Sequence, residues 1–131
     1  MLPVTKTKVI CLGDMAANSD AYAHALWKVE NKIRLQSVRF GVAAAITAAD
    51  TDYQTMALKN GSTTIATLAT GPAATGTSIA QSAFASVTPD TTAGADEVAA
   101  AATLKLTFTK TGNGMAVKGL VIQLDYIDIG H

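Results

Sequence analysis

The chain has 131 residues, of which 49% are apolar and 15% charged. That length suits one domain, which buries roughly 65–70% of its unfolded surface without help from disulfides or metal, and the apolar fraction excludes an intrinsically disordered chain. Ten basic and ten acidic residues cancel to a net charge of zero, so bulk electrostatics steer it toward neither nucleic acid nor an anionic membrane.

The first residues, Met1-Leu2-Pro3-Val4-Thr5-Lys6, lack the charged head and apolar stretch of a secretory leader, so none is expected. Thr5 to Leu12 reads as a strand that Gly13-Asp14 stops, and Ala16 to Asp20 as a small polar loop. The single cysteine, Cys11, has no partner for an internal disulfide and reads as a small core hydrophobe within Val9-Ile10-Cys11-Leu12. Tyr22 to Val29 alternates as a strand or winds as a helical turn. The strand is favoured because Asn31 punctuates the run so soon.

Ile33 and Leu35, then Val38, Phe40 and Val42, form two period-2 runs whose parity changes between Leu35 and Val38. One bulge returns both to the same face, since an inserted residue flips the alternation. Ala43 to Asp52 is a small-residue loop. Tyr53 to Lys59 and Ser62 to Ala69 flank Asn60-Gly61, which predicts a hairpin with a type I′ turn. Thr70 to Thr77 and Pro89 to Gly94 are loops, and Ser78 to Val87 a short strand. Asp96 to Ala102, four alanines after an acidic start, suggests a helical turn. Leu104, Leu106 and Phe108 alternate with polar residues, as do Leu120, Ile122, Leu124 and Tyr126 after the turn at Thr111-Gly112-Asn113-Gly114. Both are half-buried strands.

With 25 Ala and 18 Thr, a third of the chain is small or β-branched, and no helical period is sustained. About eight short strands between Gly, Pro, Asn and Thr turns predict an all-β fold, an antiparallel jelly-roll-like β-sandwich. The expected division is 1–20 as an N-terminal arm or first strand and loop, and 21–131 as the sandwich domain.

Chemistry is sparse. His24 sits between two alanines and His131 at the end, so His24 reads as a strand residue on a wet face, without a nucleophile elbow to serve. Glu30 and Glu97 are far apart in sequence, unlike a glycosidase pair. Asp50-Thr51-Asp52 is the best calcium candidate, although aspartates also serve turns by bonding nearby backbone. Asp125 and Asp128 read as structural. Gly112-Asn113-Gly114 lies between strands and lacks the helix start that holds a phosphate. Lys28, Lys32, Arg34 and Arg39 form the one basic cluster, and with seven aromatics in the chain it lacks the stacking platform of single-strand binders. Tyr22, Trp27 and Tyr53 are the candidates for stacking a sugar. No enzyme, cofactor, nucleic-acid partner or membrane span is expected.

The stretch Asp50-Thr51-Asp52-Tyr53-Gln54-Thr55-Met56-Ala57-Leu58-Lys59-Asn60-Gly61-Ser62-Thr63-Thr64-Ile65-Ala66-Thr67-Leu68 resembles small β-sandwich virion proteins of tailed bacteriophages. So do Leu104-Lys105-Leu106-Thr107-Phe108-Thr109-Lys110-Thr111-Gly112-Asn113-Gly114 and Gly119-Leu120-Val121-Ile122-Gln123-Leu124-Asp125-Tyr126. These proteins include capsid decoration, or cement, proteins and head-fibre modules. The resemblance spans residues 30–127 and departs most over Thr70 to Ala102. It implies a jelly-roll-like sandwich, often trimeric, on the capsid exterior, assembled in the bacterial cytoplasm with the major capsid protein and itself as partners. The segment Met1 to Leu12 is then expected to act as the binding arm, through Val4, Lys6, Lys8, Val9 and Ile10. The alternative is a glycan- or host-surface-binding module of a head or tail fibre. A mean hydropathy of +0.26 accords with apolar strand surface hidden in assembly, because interface centres are depleted of charge.

Overall fold

The computed structural model describes residues 4–16 and 22–130. It contains nine strands: β1 (Lys6–Met15), β2 (Tyr22–Lys28), β3 (Ile33–Gly41), β4 (Tyr53–Asn60), β5 (Thr63–Ala69), β6 (Phe84–Val87), β7 (Glu97–Val98), β8 (Thr103–Thr111) and β9 (Val117–Asp128). One sheet runs β1-β9-β3-β6, with β7 on β3, and the other β2-β8-β4-β5. Every pairing is antiparallel. With the two-residue β7 set aside, the first strand pairs the last, the second the next to last, and so inward to the β4–β5 hairpin. That nested hairpin folded across two sheets is the jelly roll.

The core lies between the sheets. From the first come Val38, Phe40, Leu120, Ile122 and Leu124; from the second come Met56, Leu58, Leu104, Leu106 and Phe108, each fully buried. Each strand contributes alternate residues, because successive side chains of an extended chain point to opposite faces. The bulge expected in β3 falls between Leu35 and Ser37 in the pairing with β9.

Several expectations are corrected. The β4–β5 connection is Gly61-Ser62, closed by the Asn60–Thr63 pair. Gly61 has φ +61° while Ser62, the second central residue, is not in the left-handed region, the signature of a type II′ rather than a I′ turn. Gly13-Asp14 does not end β1. The strand continues to the buried Met15 through two register shifts, and Gly13 adopts φ +82°, a conformation that glycine takes without steric cost. From Ser78 to Val87 only β6 is a strand, Ile79 making an isolated bridge to Ile46. Asp96 to Ala102 is not helical. Its backbone serves its neighbours instead: Leu35 N–H donates to Asp96 O at 2.9 Å, Val29 N–H to Ala102 O at 2.9 Å, and Ala101 N–H to Val29 O at 2.7 Å. The loop expected at Ala16 to Asp20 lies, beyond Ala16, outside the described residues.

Candidate functional site

β1 is an edge strand of the first sheet, and alternation divides its side chains. Ile10 and Leu12 turn inward and pack against the core. Val9 turns outward and is 53% exposed, and Cys11 is exposed beside it on the same face. Cys11 is therefore corrected from a core hydrophobe to a surface thiol. Position in an apolar run misled, because the run carries both faces of an edge strand.

The register places Cys11 opposite Val121, Val121 opposite Gly41, and Gly41 opposite Phe84. These four residues form an apolar row across the outer face of the sheet. Phe84 is 51% exposed, and beside it Gly41, Ala43, Ala83, Gly119 and Val121 line a shallow depression of about 190 Å³. The next rows are polar and tied together. Arg39 Nε donates to Gln123 Oε1 at 2.9 Å, and its guanidinium pairs with Asp125 at 2.8 Å. Thr7 Oγ1 donates to Asp125 Oδ1 at 2.7 Å. The Arg39 and Thr7 hydrogen bonds hold the Asp125 carboxyl below the usual carboxylate range, since both favour its charged form.

Between the open edges of the two sheets, at the opposite end of β1, lies a cleft of about 270 Å³. Its walls include Lys6 and Lys8 from β1, Trp27 from β2, Glu30 and Asn31 from the β2–β3 loop, and Tyr126 and Asp128 from β9. Trp27 and Tyr126 meet across the sheets with ring centroids 5.0 Å apart and planes tilted by 56°. The Lys8 ammonium lies 5.5 Å from the Trp27 ring centroid, a cation–π contact. Lys6 donates to Asp128, and that hydrogen bond raises the Lys6 pKa.

The five residues expected to bind a partner thus separate. Val4, 68% exposed, and Val9 present apolar surface; Lys6 and Lys8 belong to the cleft; Ile10 is half-buried and packs against the core. The segment expected as an arm is, from Lys6 onward, a strand paired with β9 from Lys6–Tyr126 to Met15–Val117. Residues 1–3 of that segment lie outside the described residues.

The other candidates serve structure. His24 is not on a wet face: it is half-buried, edge-on to Phe108 with ring centroids 6.3 Å apart. Asp50 and Asp52 point into different loops. Asp50 Oδ1 accepts the Ala73 N–H at 2.9 Å, and Asp52 Oδ1 accepts the Asn113 N–H at 2.8 Å. Among the described residues no group of three or more His, Cys, Asp or Glu is placed to hold a metal ion. Of the basic cluster, Lys32 pairs with Glu97 at 3.6 Å, Arg34 with Glu97 at 3.4 Å and Arg39 with Asp125. Tyr53 packs its ring against the backbone of Gly71, where a side chain would collide with it. The side chain of Tyr22 and all of His131 lie outside the described residues. Tyr126 is the cleft residue that sequence reading missed. Its alternation with Leu120, Ile122 and Leu124 marked it as core, and only the packing of the first sheet on the second sets it beside Trp27. No protein-family profile and no curated protein matches the chain.

Proposed function

We propose that this chain is a structural protein of a bacteriophage virion that decorates and stabilises the capsid exterior, as a homotrimer and without enzymatic activity. Its partners are the major capsid protein and its own copies. The observation that carries the reading is the apolar row Cys11–Val121–Gly41–Phe84, with Val9 at its side, on the outer face of a jelly-roll sheet. Monomeric proteins seldom leave contiguous apolar surface of this kind uncovered unless it meets a partner. The row is uncharged and bordered by the satisfied Arg39–Gln123–Asp125 network, as an interface centre with a polar rim requires. The jelly-roll topology and the resemblance of residues 30–127 to phage decoration proteins point the same way.

The mechanism is adhesion. Each protomer makes a small contact of modest energy, and joining three in one trimer turns the second and third contacts into intramolecular events. Neighbouring shell subunits are bridged, and the shell resists rupture. The test mixes purified protein with undecorated capsids of the virus whose genome encodes it. Cosedimentation with the shells and a raised rupture temperature are expected, with light scattering reporting a trimer. Absence of both binding and stabilisation overturns the proposal.

A further inference from the structure

The cleft between the sheet edges is separate from the apolar face, and its lining specifies a different ligand. We infer that it is a binding site for one neutral pyranose unit of a glycan. Three observations lead there.

The first is the aromatic pair. Trp27 and Tyr126 stand 5.0 Å apart and line the same opening. A pyranose has an apolar C–H face that lies on such rings and a rim of hydroxyls that does not.

The second is the mixture of charge signs. Lys6, Lys8, Glu30, Asn31 and Asp128 converge on one cleft. Glu30 and Asp128 oppose a phosphate or sulfate, and Lys6 and Lys8 oppose a divalent cation, whose sites are built from oxygen ligands. A neutral polyol meets neither objection. Each of its hydroxyls both donates and accepts, so it matches carboxylate acceptors, ammonium donors and the two-sided amide of Asn31 together.

The third is preorganisation and size. Lys8 is held over Trp27, and Lys6 is held by Asp128, so part of the ordering cost falls on folding rather than on binding. The opening of about 270 Å³ is just under the ~300 Å³ at which sites for drug-sized ligands begin. One ring fits, and a longer glycan continues out through the open side.

Trp27 is the only tryptophan in the chain, so its fluorescence reports the site directly. The full chain is titrated with methyl glucoside, methyl galactoside, methyl mannoside and methyl N-acetylglucosaminide, and in separate arms with inorganic phosphate and with calcium chloride. A saturable change in Trp27 emission with at least one pyranoside is expected, at about millimolar strength, and none with phosphate or calcium. Glu30 and Asn31 are exposed, so the double variant Glu30→Ala, Asn31→Ala folds normally, keeps its melting temperature and binds the sugar about tenfold more weakly. Silence with all four pyranosides overturns the inference. So does saturation by phosphate or calcium alone, or a sugar response that the double variant leaves unchanged. The double variant retains capsid binding, so this inference and the decoration role fail separately.

Discussion

The ring of Phe84 covers Gly41 across the β3–β6 pair: a Cβ added at Gly41 would stand 2.5 Å from Phe84 Cε1. An aromatic laid over a cross-strand glycine restores the packing that the missing side chain leaves out. Gly41→Ala therefore evicts the ring from its seat. Because Phe84 is 51% exposed, the ring has somewhere to go, and the cost is that of one cross-strand pair, about 0.5–1 kcal/mol. Urea denaturation measures that loss. On the proposed decoration role, capsid binding should fall more sharply than stability, since the apolar row loses its shape. Phe84→Ala removes the ring altogether, so it keeps the fold at a similar cost of about 0.5–1 kcal/mol and should weaken binding as well. Full binding by both variants would remove the row from the interface.

Thr70 and Gln54 form a buried exchange. Gln54 N–H donates to Thr70 Oγ1 at 2.9 Å, Thr70 Oγ1 donates to Gln54 O at 3.2 Å, and Thr70 N–H donates to the same carbonyl at 2.9 Å. Both residues are wholly buried. Thr70→Val keeps the shape and deletes the hydroxyl, stranding an amide proton in the interior, at a cost of about 1–3 kcal/mol. Thr70→Ser keeps the hydroxyl and loses one methyl, about 1 kcal/mol of packing. Chemical denaturation should rank wild type above the Ser variant and the Ser variant above the Val variant. A Val variant as stable as wild type would mean that water replaces the hydroxyl.

Asp52 is a brace for the β8–β9 connection. Its Oδ1 receives the Asn113 N–H at 2.8 Å, and Gly112 passes so close to Asp52 and to the Thr51 carbonyl that a side chain there would collide with both. Asp52→Ala should lower stability by about 1 kcal/mol, the typical worth of such a bond. Calcium added to the wild-type protein should leave the melting temperature where it is, because Asp50 and Asp52 are each engaged with different backbone amides. A calcium-dependent rise, absent in Asp52→Ala, would restore the cation reading.

Much of this architecture was present in the alternation of residues. The parity change between Leu35 and Val38 foretold a bulge because β3 is buried on one face only, so a flipped register would drown Arg39 and expose Phe40. β5 also carries a bulge, at Ile65, where the pairing steps from Leu58–Ala66 to Lys59–Thr64, and it left no such trace. Ile65 and Ala66 are both buried, and alanine is too small for its facing to be read from pattern. Asp96 to Ala102 failed for another reason. Helix propensity acts on isolated turns, whereas here the β2–β3 region captures the backbone carbonyls, and Ala101 at φ +68° lies outside helical space. The cleft was half visible: Trp27 stood out as the single tryptophan, but its companions come from strands far apart in the chain, and no local pattern records that β1 and β9 lie side by side.

Asp125 makes the outer face sensitive to acid. Hydrogen bonds from Arg39 and Thr7 depress its pKa below the ordinary value of 3.8. A carboxyl whose folded pKa is lowered contributes stability that is fully present above its unfolded pKa and is lost as pH falls through the folded one. Wild-type stability should therefore decline below about pH 4 in part through this group. Arg39→Met removes the main partner and flattens that part of the pH profile, while costing about 1.5 kcal/mol at neutral pH because the pair is partly shielded from water. Denaturation curves between pH 2.5 and 7, on the order of the window set by carboxylate titration, separate the two proteins. Parallel curves would exclude Asp125 as the titrating group.

Cys11 offers a direct probe of the proposed assembly face. It is the only cysteine and is exposed on the outer side of β1, one position along the row from Val121. A thiol reagent should label the native protein to completion without denaturant, because access rather than local unfolding governs its reaction. The inward neighbours Ile10 and Leu12 keep their packing, so a small adduct leaves the melting temperature nearly unchanged. A bulky maleimide at the same sulfur stands at the β1 end of the apolar row and, on the proposed role, should abolish capsid binding. Cys11→Ser, which removes the reactive group and adds little volume, should bind shells normally and resist the reagent. Labelling that proceeds only after unfolding would contradict the outward placement of Cys11, and a fully labelled protein that still coats capsids would move the adhesive surface elsewhere on the sandwich.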